Sequence, residues 1–136
     1  MKTSVRTLSL FGESLDAEFA WRAKELVDIR LSVKAAAGSE RKMLIRAGIA
    51  LLYAHWEGFI KSSSTLYIEF VNKRGHAYQD LKTTFIALGL SKRLGEVTDT
   101  KKHSLRISAV NFILDNCAKR AELPAQSAIN TRSNLN

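Results

Sequence analysis

The chain has 136 residues and a mass of 15.2 kDa, the length of one typical domain. Its hydrophobic content of 46% excludes an intrinsically disordered chain, and its single cysteine, Cys117, excludes a scaffold held by internal disulfides. Lys and Arg number 21 against 13 Asp and Glu, and the resulting net charge of +8 favours nucleic acid or another polyanion as a partner.

The first predicted helix covers residues 13–37. Ser14 is its expected N-cap, and Gly38 is placed where a C′ glycine ends a helix. Its apolar positions share one helical face, formed by Leu15, Phe19, Leu26, Ile29 and Val33. Arg22 falls on that same face, so its guanidinium must lie at the edge of the face or be paired.

The second predicted helix covers residues 39–73 and carries two stripes of residues. The first stripe is expected to face the core and holds Ile45, Ile49, Leu52, Trp56, Phe59, Ser63, Leu66 and Phe70. The second stripe holds Leu44, Gly48, Leu51, His55, Gly58 and Ser62. Small residues in the second stripe would let another helix approach closely. A helix of this length in so short a chain also predicts a kink near Gly58 or in the run 62–64.

Beyond Gly75 the sequence predicts a helix over 77–89, a loop from Gly89 to Thr100, and a helix over 104–119. Residues 66–71 have strand propensity, but the helical stripe passes through them, and no run alternates long enough to require a sheet. We therefore expect a single all-α domain over 1–136, with four or five helices and a long central helix. Its expected core contains Trp56, Phe59, Leu52, Ile49, Phe19 and Leu26.

Sequence motifs for cofactor or metal binding do not occur in the chain. No glycine-rich phosphate loop is present, and His55, His76 and His103 are far apart in the sequence. We expect no metal and no cofactor. No stretch of about 18 apolar residues occurs either, so we expect a cytoplasmic protein without a membrane span.

The segment from Arg46 to Lys61 concentrates polar and ionisable groups within an apolar helix. Arg46, Tyr53 and Glu57 share one side of the helix, whereas His55 belongs to the stripe of small residues. Because a buried carboxylate is costly unless paired, Glu57 is expected to meet a cation from another helix. Two interpretations are open: an active site, or an interhelical network of hydrogen bonds with a structural role.

Two blocks of the sequence, Leu51-Leu52-Tyr53-Ala54-His55-Trp56-Glu57-Gly58-Phe59-Ile60-Lys61 and Ile129-Asn130-Thr131-Arg132-Ser133-Asn134-Leu135, resemble the MAE-type branch of the HEPN superfamily. The resemblance implies an all-α bundle in bacterial defence, restriction or toxin–antitoxin systems, where many relatives are metal-independent RNases that act as dimers. It therefore implies a homodimer, RNA as a partner, and a further partner or antitoxin protein. The stripe with Gly48 and Gly58 offers a surface for close contact between copies. The candidate catalytic residues are Arg132, Glu57, Arg46 and His55.

The catalytic signature of the superfamily, an arginine followed after four to six residues by a histidine, does not occur within residues 1–136. Arg46 and His55 are separated by eight residues and point to opposite sides of a helix. Arg132 is placed as the signature requires, but a matching histidine would fall at or beyond position 137. Either the chain is truncated before its last helix, or this branch is not catalytic.

A basic segment runs from Lys73 to Arg106, with eight cations against three anions. The predicted RNA-binding residues are Lys73, Arg74, Lys92, Arg93, Lys101, Lys102 and Arg106, and Tyr78 could stack on a base. The alternative is a solvated surface that keeps the protein soluble. Two functions follow as hypotheses. One is an endoribonuclease in full-length form, and the other is a non-catalytic helical module that binds RNA or a protein.

Overall fold

A computed structural model describes residues 5–98 and 102–124, apart from the side chains of Glu96 and Thr98. Within this part the chain forms four α-helices: α1 over Leu8–Ala35, α2 over Gly38–Arg74, α3 over Thr83–Thr98 and α4 over His103–Asn116. A short 3₁₀-helix, Tyr78–Asp80, precedes α3. The predicted all-α class is confirmed.

The described residues divide into two compact units, 5–67 and 68–124, and α2 contributes residues to both. We call them the first and the second unit. The first unit is built from α1 and most of α2. The second unit contains the end of α2 and all later elements. That residues 1–136 form one domain stays a prediction.

Helix α1 begins earlier than the sequence predicted. Its N-cap is Thr7, whose Oγ1 accepts a hydrogen bond of 3.2 Å from the amide of Leu10. Ser14, the predicted cap, lies inside the helix and donates its hydroxyl to the carbonyl of Leu10 at 2.7 Å. Gly38 has a φ of +56°, which favours glycine, and it opens α2 after the C-cap at Ala36. Helix α2 then continues through Gly58 and residues 62–64 without a break.

The predicted core face of the first unit is wrong in its main part. Four residues expected inside are exposed: Ile49 (66%), Phe19 (59%), Leu52 (55%) and Trp56 (43%). Phe59 and Leu26 are half-buried. The stripe of small residues, not the stripe of large ones, faces α1, because glycine and serine allow two helices to approach each other closely.

The second unit has a compact apolar centre formed by Ile68, Leu90, Ala121 and Leu123, all of them buried. A segment after α4 pairs with the turn before α3: Ala77 and Arg120 form an antiparallel bridge, and the amide of Ala121 donates to the carbonyl of His76 at 2.9 Å. Asn72 binds both backbone groups of Leu123, each at 2.8 Å. These bonds attach the 120–123 segment to the end of α2.

The loop predicted from Gly89 to Thr100 is wrong, because α3 continues through it to Thr98. The predicted helix over 77–89 is correct only in its second half. Gly89 marks close packing rather than a chain reversal: a Cβ at this position would lie 2.7 Å from Cε1 of Tyr78 and 3.2 Å from Cδ2 of Leu123. The glycine thus allows the ring of Tyr78 to lie directly against α3.

Candidate functional site

The contact between α1 and α2 in the first unit rests on two glycines of α2. A Cβ on Gly48 would lie 3.5 Å from Cγ1 of Ile29, and one on Gly58 would lie 3.4 Å from Nη2 of Arg22. The stripe proposed from sequence as a contact between copies is therefore used within the chain. Side chains of both helices make contacts around Arg22 and His55, and we call this set the polar interface: Glu18, Trp21, Arg22 and Glu25 on α1, with His55 and Ser62 on α2.

Arg22 is the buried cation of the polar interface, with 8% of its surface exposed. Its Nη1 pairs with the carboxylate of Glu18 and donates to the carbonyl of the same residue at 2.6 Å. Its Nη2 donates to Oγ of Ser62 at 3.4 Å, and its guanidinium lies 4.2 Å from the ring centre of Trp21. Of the two alternatives that the sequence left open for Arg22, a place at the edge of the face or pairing, the structure shows pairing. Its Nε, however, is buried without a hydrogen-bond partner.

His55 is the second buried polar side chain of the interface, with 7% of its surface exposed. Its Nε2 lies 2.9 Å from Oε2 of Glu25, within ion-pair distance but outside the alignment of a hydrogen bond. Its ring also meets the ring of Trp21 edge to face, with centres 5.3 Å apart. His55 is therefore enclosed between α1 and α2.

The structure does not bring the candidate catalytic residues together as one described group. Arg46 is exposed on α2, whereas His55 is buried against α1. Glu57 pairs with Lys61, one turn along the same helix, at 2.6 Å. Arg132 lies outside the described residues. Sequence reasoning missed Glu18, Trp21 and Glu25, although Glu18 and Glu25 stand four residues before and three after Arg22, a spacing that places them on its side of α1.

The second unit carries the basic residues predicted to bind RNA. Those that the structure describes are all exposed: Lys73, Arg74, Lys92, Arg93, Lys102 and Arg106. Lys101 lies outside the described residues. Lys82, Lys119 and Arg120 are exposed in the same unit and extend this set. We call these nine cations the basic surface.

Two cations of the basic surface also have a structural role. The guanidinium of Arg93 lies 5.0 Å from the ring centre of Phe112, beside a hollow of about 80 Å³ between α3 and α4. Nη2 of Arg120 donates to the carbonyl of Asn72 at 2.9 Å. Tyr78 is similarly engaged, since its hydroxyl lies 3.3 Å from both the amide and the carbonyl of Glu122. Its ring is held by the protein itself, which does not favour stacking on a base.

In the part of the chain that the structure describes, no cluster of three or more His, Cys, Asp or Glu side chains could hold a metal ion. Among the same residues, no helix combines the length and the apolar composition needed to cross a membrane.

Comparison with curated proteins and with solved structures gave no match. Comparison with protein families gave a match over residues 11–136 to the HEPN_MAE_28990-like HEPN family. The match covers α1 from its second turn onward and every later element, and thus contains both the polar interface and the basic surface. The chain therefore belongs to the HEPN superfamily, in its MAE_28990-like family.

Proposed function

We propose that this HEPN protein is an RNA-directed component of a bacterial defence or toxin–antitoxin system and holds RNA at its basic surface. The observation that carries the proposal is the exposure of nine cations within one compact unit. Such a density of Lys and Arg attracts the phosphate backbone whatever the base sequence. We place the protein in the cytoplasm, where its RNA substrate is found.

As the catalytic form of this function we propose a metal-independent cleavage of RNA. The 2′-oxygen attacks the adjacent phosphorus, a base removes the 2′-hydroxyl proton, and an acid protonates the departing 5′-oxygen. The products are a 2′,3′-cyclic phosphate and a 5′-hydroxyl end. Arg132 is the residue proposed to stabilise the charge on the phosphate, by analogy with the arginine of the HEPN signature.

A specific observation favours the second function, a non-catalytic module that binds RNA or a protein. His55 is enclosed by Trp21 and Glu25, so its imidazole is not presented to a substrate. Of the proposed catalytic residues, His55 is the one with an imidazole, the group that most often acts as a general acid or base. We therefore expect residues 1–136 to bind RNA but to cleave it weakly or not at all.

RNA binding is tested by removing three exposed cations of the basic surface, Lys73, Lys82 and Lys92, by substitution with alanine. Because about 0.7 counterions are released per phosphate contact on single-stranded nucleic acid, the slope of log affinity against log salt should fall by about two. At moderate salt the affinity should fall roughly 10- to 100-fold. The measurement is fluorescence anisotropy of a labelled RNA over a salt series.

The matched control removes three exposed cations of the first unit, Arg6, Lys24 and Arg41, also by substitution with alanine. Both variants lose the same net charge, so a general loss of electrostatic attraction would weaken them equally. Equal weakening, or parent-like binding by the basic-surface variant, would refute the proposed RNA-binding surface.

Cleavage is tested with the purified chain and with a His55→Ala variant, using a labelled RNA and gel analysis of the products. We expect little or no cleavage by either protein. Strong cleavage by the parent chain that is lost in His55→Ala would place the active site on α2 and contradict the structural role assigned to His55. A form extended beyond residue 136 that cleaves RNA and loses activity on Arg132→Ala would support the catalytic function.

A further inference from the structure

A shallow groove of about 320 Å³ runs between α1 and α2 in the first unit, and we propose that it binds an acidic amphipathic helix of a different protein. We call it the apolar groove: Leu26, Ile29 and Val33 on α1, with Ile45, Ile49 and Leu52 on α2. The proposal does not depend on RNA binding by the second unit.

The apolar groove has a shape that a helix fits. Its lining residues recur every three or four positions on both helices, so the groove follows the helix axes over about 10 Å. Apolar side chains at positions i, i+3 or i+4 and i+7 of a bound helix cover the same distance. Ile49 and Leu52 are 66% and 55% exposed, although their spacing is typical of a buried face. Contiguous exposed apolar surface of this kind marks a contact with another molecule.

Exposed cations lie along both edges of the apolar groove. Arg30 and Lys34, one turn apart, follow its edge on α1. Lys42 and Arg46 stand seven and three positions before Ile49, which places them beside the groove on α2. None of these four cations forms an ion pair with another residue in the described part of the chain. Their charges are therefore available to an acidic partner.

The charge balance around the apolar groove is one-sided. Residues 29–52 carry one anion, Glu40, against five cations: Arg30, Lys34, Arg41, Lys42 and Arg46. Complementary charges at the rim of an interface select the partner and speed its association. The rim of this groove thus selects a partner with carboxylates beside its apolar side chains.

Two other occupants fit the apolar groove less well. RNA would pair with the cations, but its sugars and phosphates do not fill a floor of Leu, Ile and Val side chains. A second copy of the chain has the same groove and a net charge of +8, so pairing groove to groove would place cations against cations. An acidic amphipathic helix matches both the floor and the edges.

The first test uses a labelled synthetic peptide as the probe. The peptide has about 18 residues, with leucine recurring every three or four positions and glutamate beside the leucines, so that it can form an acidic amphipathic helix. One control peptide has the same composition in scrambled order, and the other has lysine in place of glutamate. Fluorescence anisotropy should show that the parent chain binds the acidic amphipathic peptide at least about 10-fold more tightly than either control.

The second test locates the peptide on the apolar groove. Ile49→Asp changes a residue that is 66% exposed, so α2 should form as in the parent, but binding of the acidic peptide should weaken at least about 10-fold. The matched control is Met43→Asp, which makes the same change in charge at a residue of α2 that is 62% exposed and lies on the opposite side of the helix. It should bind the peptide as the parent does. Circular dichroism checks that both variants keep the helical content of the parent.

The third test reverses charges at the edges of the apolar groove. In Arg30→Glu with Arg46→Glu, the preference for the acidic peptide over the lysine peptide should fall at least about 10-fold, because two attractive contacts become repulsive. Arg6→Glu with Lys24→Glu makes the same change in net charge away from the groove, at two exposed positions, and should keep the preference of the parent.

Four results would overturn the proposal. The first is a parent chain that binds none of the peptides or binds all three equally. The second is an equal loss of peptide binding in the groove variants and their controls. The third is a parent chain that sediments at twice its mass while Ile49→Asp sediments at the chain mass, which would show that a second copy occupies the groove. The fourth is a loss of RNA affinity in Ile49→Asp but not in Met43→Asp, which would show that RNA occupies it. Failure of RNA binding at the basic surface would leave the peptide results unchanged.

Discussion

The two units of this protein are stabilised in different ways. In the first unit, two long helices meet through side chains, and its buried polar residues, Arg22 and His55, lie at that contact. In the second unit, short elements surround four buried apolar residues, and hydrogen bonds to the backbone attach the segment after α4. The first unit therefore depends on side-chain contacts between two helices, whereas the second unit depends on apolar packing and on hydrogen bonds to the backbone.

The two units also differ in how far apart along the sequence their contacting residues lie. The side chains that hold Arg22 in place come from its own turn of α1 and from Ser62, 40 positions away on the next helix. The hydrogen bonds of Asn72 reach Leu123, 51 positions away and beyond two further helices. We expect the second unit to depend on a few distant contacts, and the first unit to retain its helices when one contact is lost.

The largest loss in the free energy of unfolding is expected for Asn72→Ala. Leu123 is 5% exposed, so removal of the Asn72 side chain leaves a buried amide and a buried carbonyl without partners, at a cost of about 3 kcal/mol. Amide hydrogen exchange followed by mass spectrometry should show faster exchange in residues 68–124 and unchanged exchange in α1.

Asn111→Ala serves as the control for this prediction. Asn111 is an exposed asparagine of the same unit, and its loss should change the free energy of unfolding by less than about 0.5 kcal/mol. Faster exchange throughout the chain in Asn72→Ala would contradict the separation of the two units, since it would show that they unfold together.

The next largest loss in the free energy of unfolding is expected at the polar interface. Arg22→Ala leaves a void beside Gly58 and should lower the free energy of unfolding by about 2 kcal/mol. Glu18, which is about one third exposed, can return to solvent, so little of that loss comes from the ion pair. Arg22→Met keeps the apolar stem and removes the unpaired Nε, and it should recover most of the stability.

Urea unfolding followed by circular dichroism separates these two variants. If Arg22→Met is as unstable as Arg22→Ala, the charge and its hydrogen bonds stabilise the helix pair, and the packing argument is wrong. A methionine variant close to the parent would show that the interface of the first unit depends on filled volume beside the glycine.

In the first unit the sequence predicted the helices well, but it did not predict which of their faces is buried. The reason is physical. The three-and-four spacing specifies a helix with an apolar side, but it does not specify whether that side is covered by the same chain. Large residues such as Ile49 and Trp56 satisfy the pattern of a core, whereas the small residues Gly48 and Gly58 decide how closely α1 can approach.

In the second unit the sequence predicted the extent of a helix poorly. Gly89 and Gly95 lowered the helical signal and led to a predicted loop, because a sequence pattern cannot distinguish a glycine that breaks a helix from one that admits a neighbouring ring. The contact of Asn72 with Leu123 does not appear in the periodicity of the sequence, because the two residues belong to different elements. For the site, the sequence predicted that Arg22 lies at the edge of its face or is paired, and that His55 belongs to a packed face. The acidic partners were missed, although the spacing of Glu18 and Glu25 places both on the same side of α1 as Arg22.

The smallest changes in stability are expected at two glycines of α3, one that packs against a neighbouring ring and one that has open space around it. Gly89→Ala should gain helix propensity but force its Cβ against the ring of Tyr78, at 2.7 Å, with a net loss of about 1 kcal/mol. Gly95 has no neighbouring atom within 4 Å of a built Cβ, so Gly95→Ala should stabilise the protein by up to about 1 kcal/mol. Thermal unfolding of both variants supplies the comparison. Stabilisation by both substitutions would mean that the ring of Tyr78 moves aside at little cost, and the close packing at Gly89 would then not hold the second unit together.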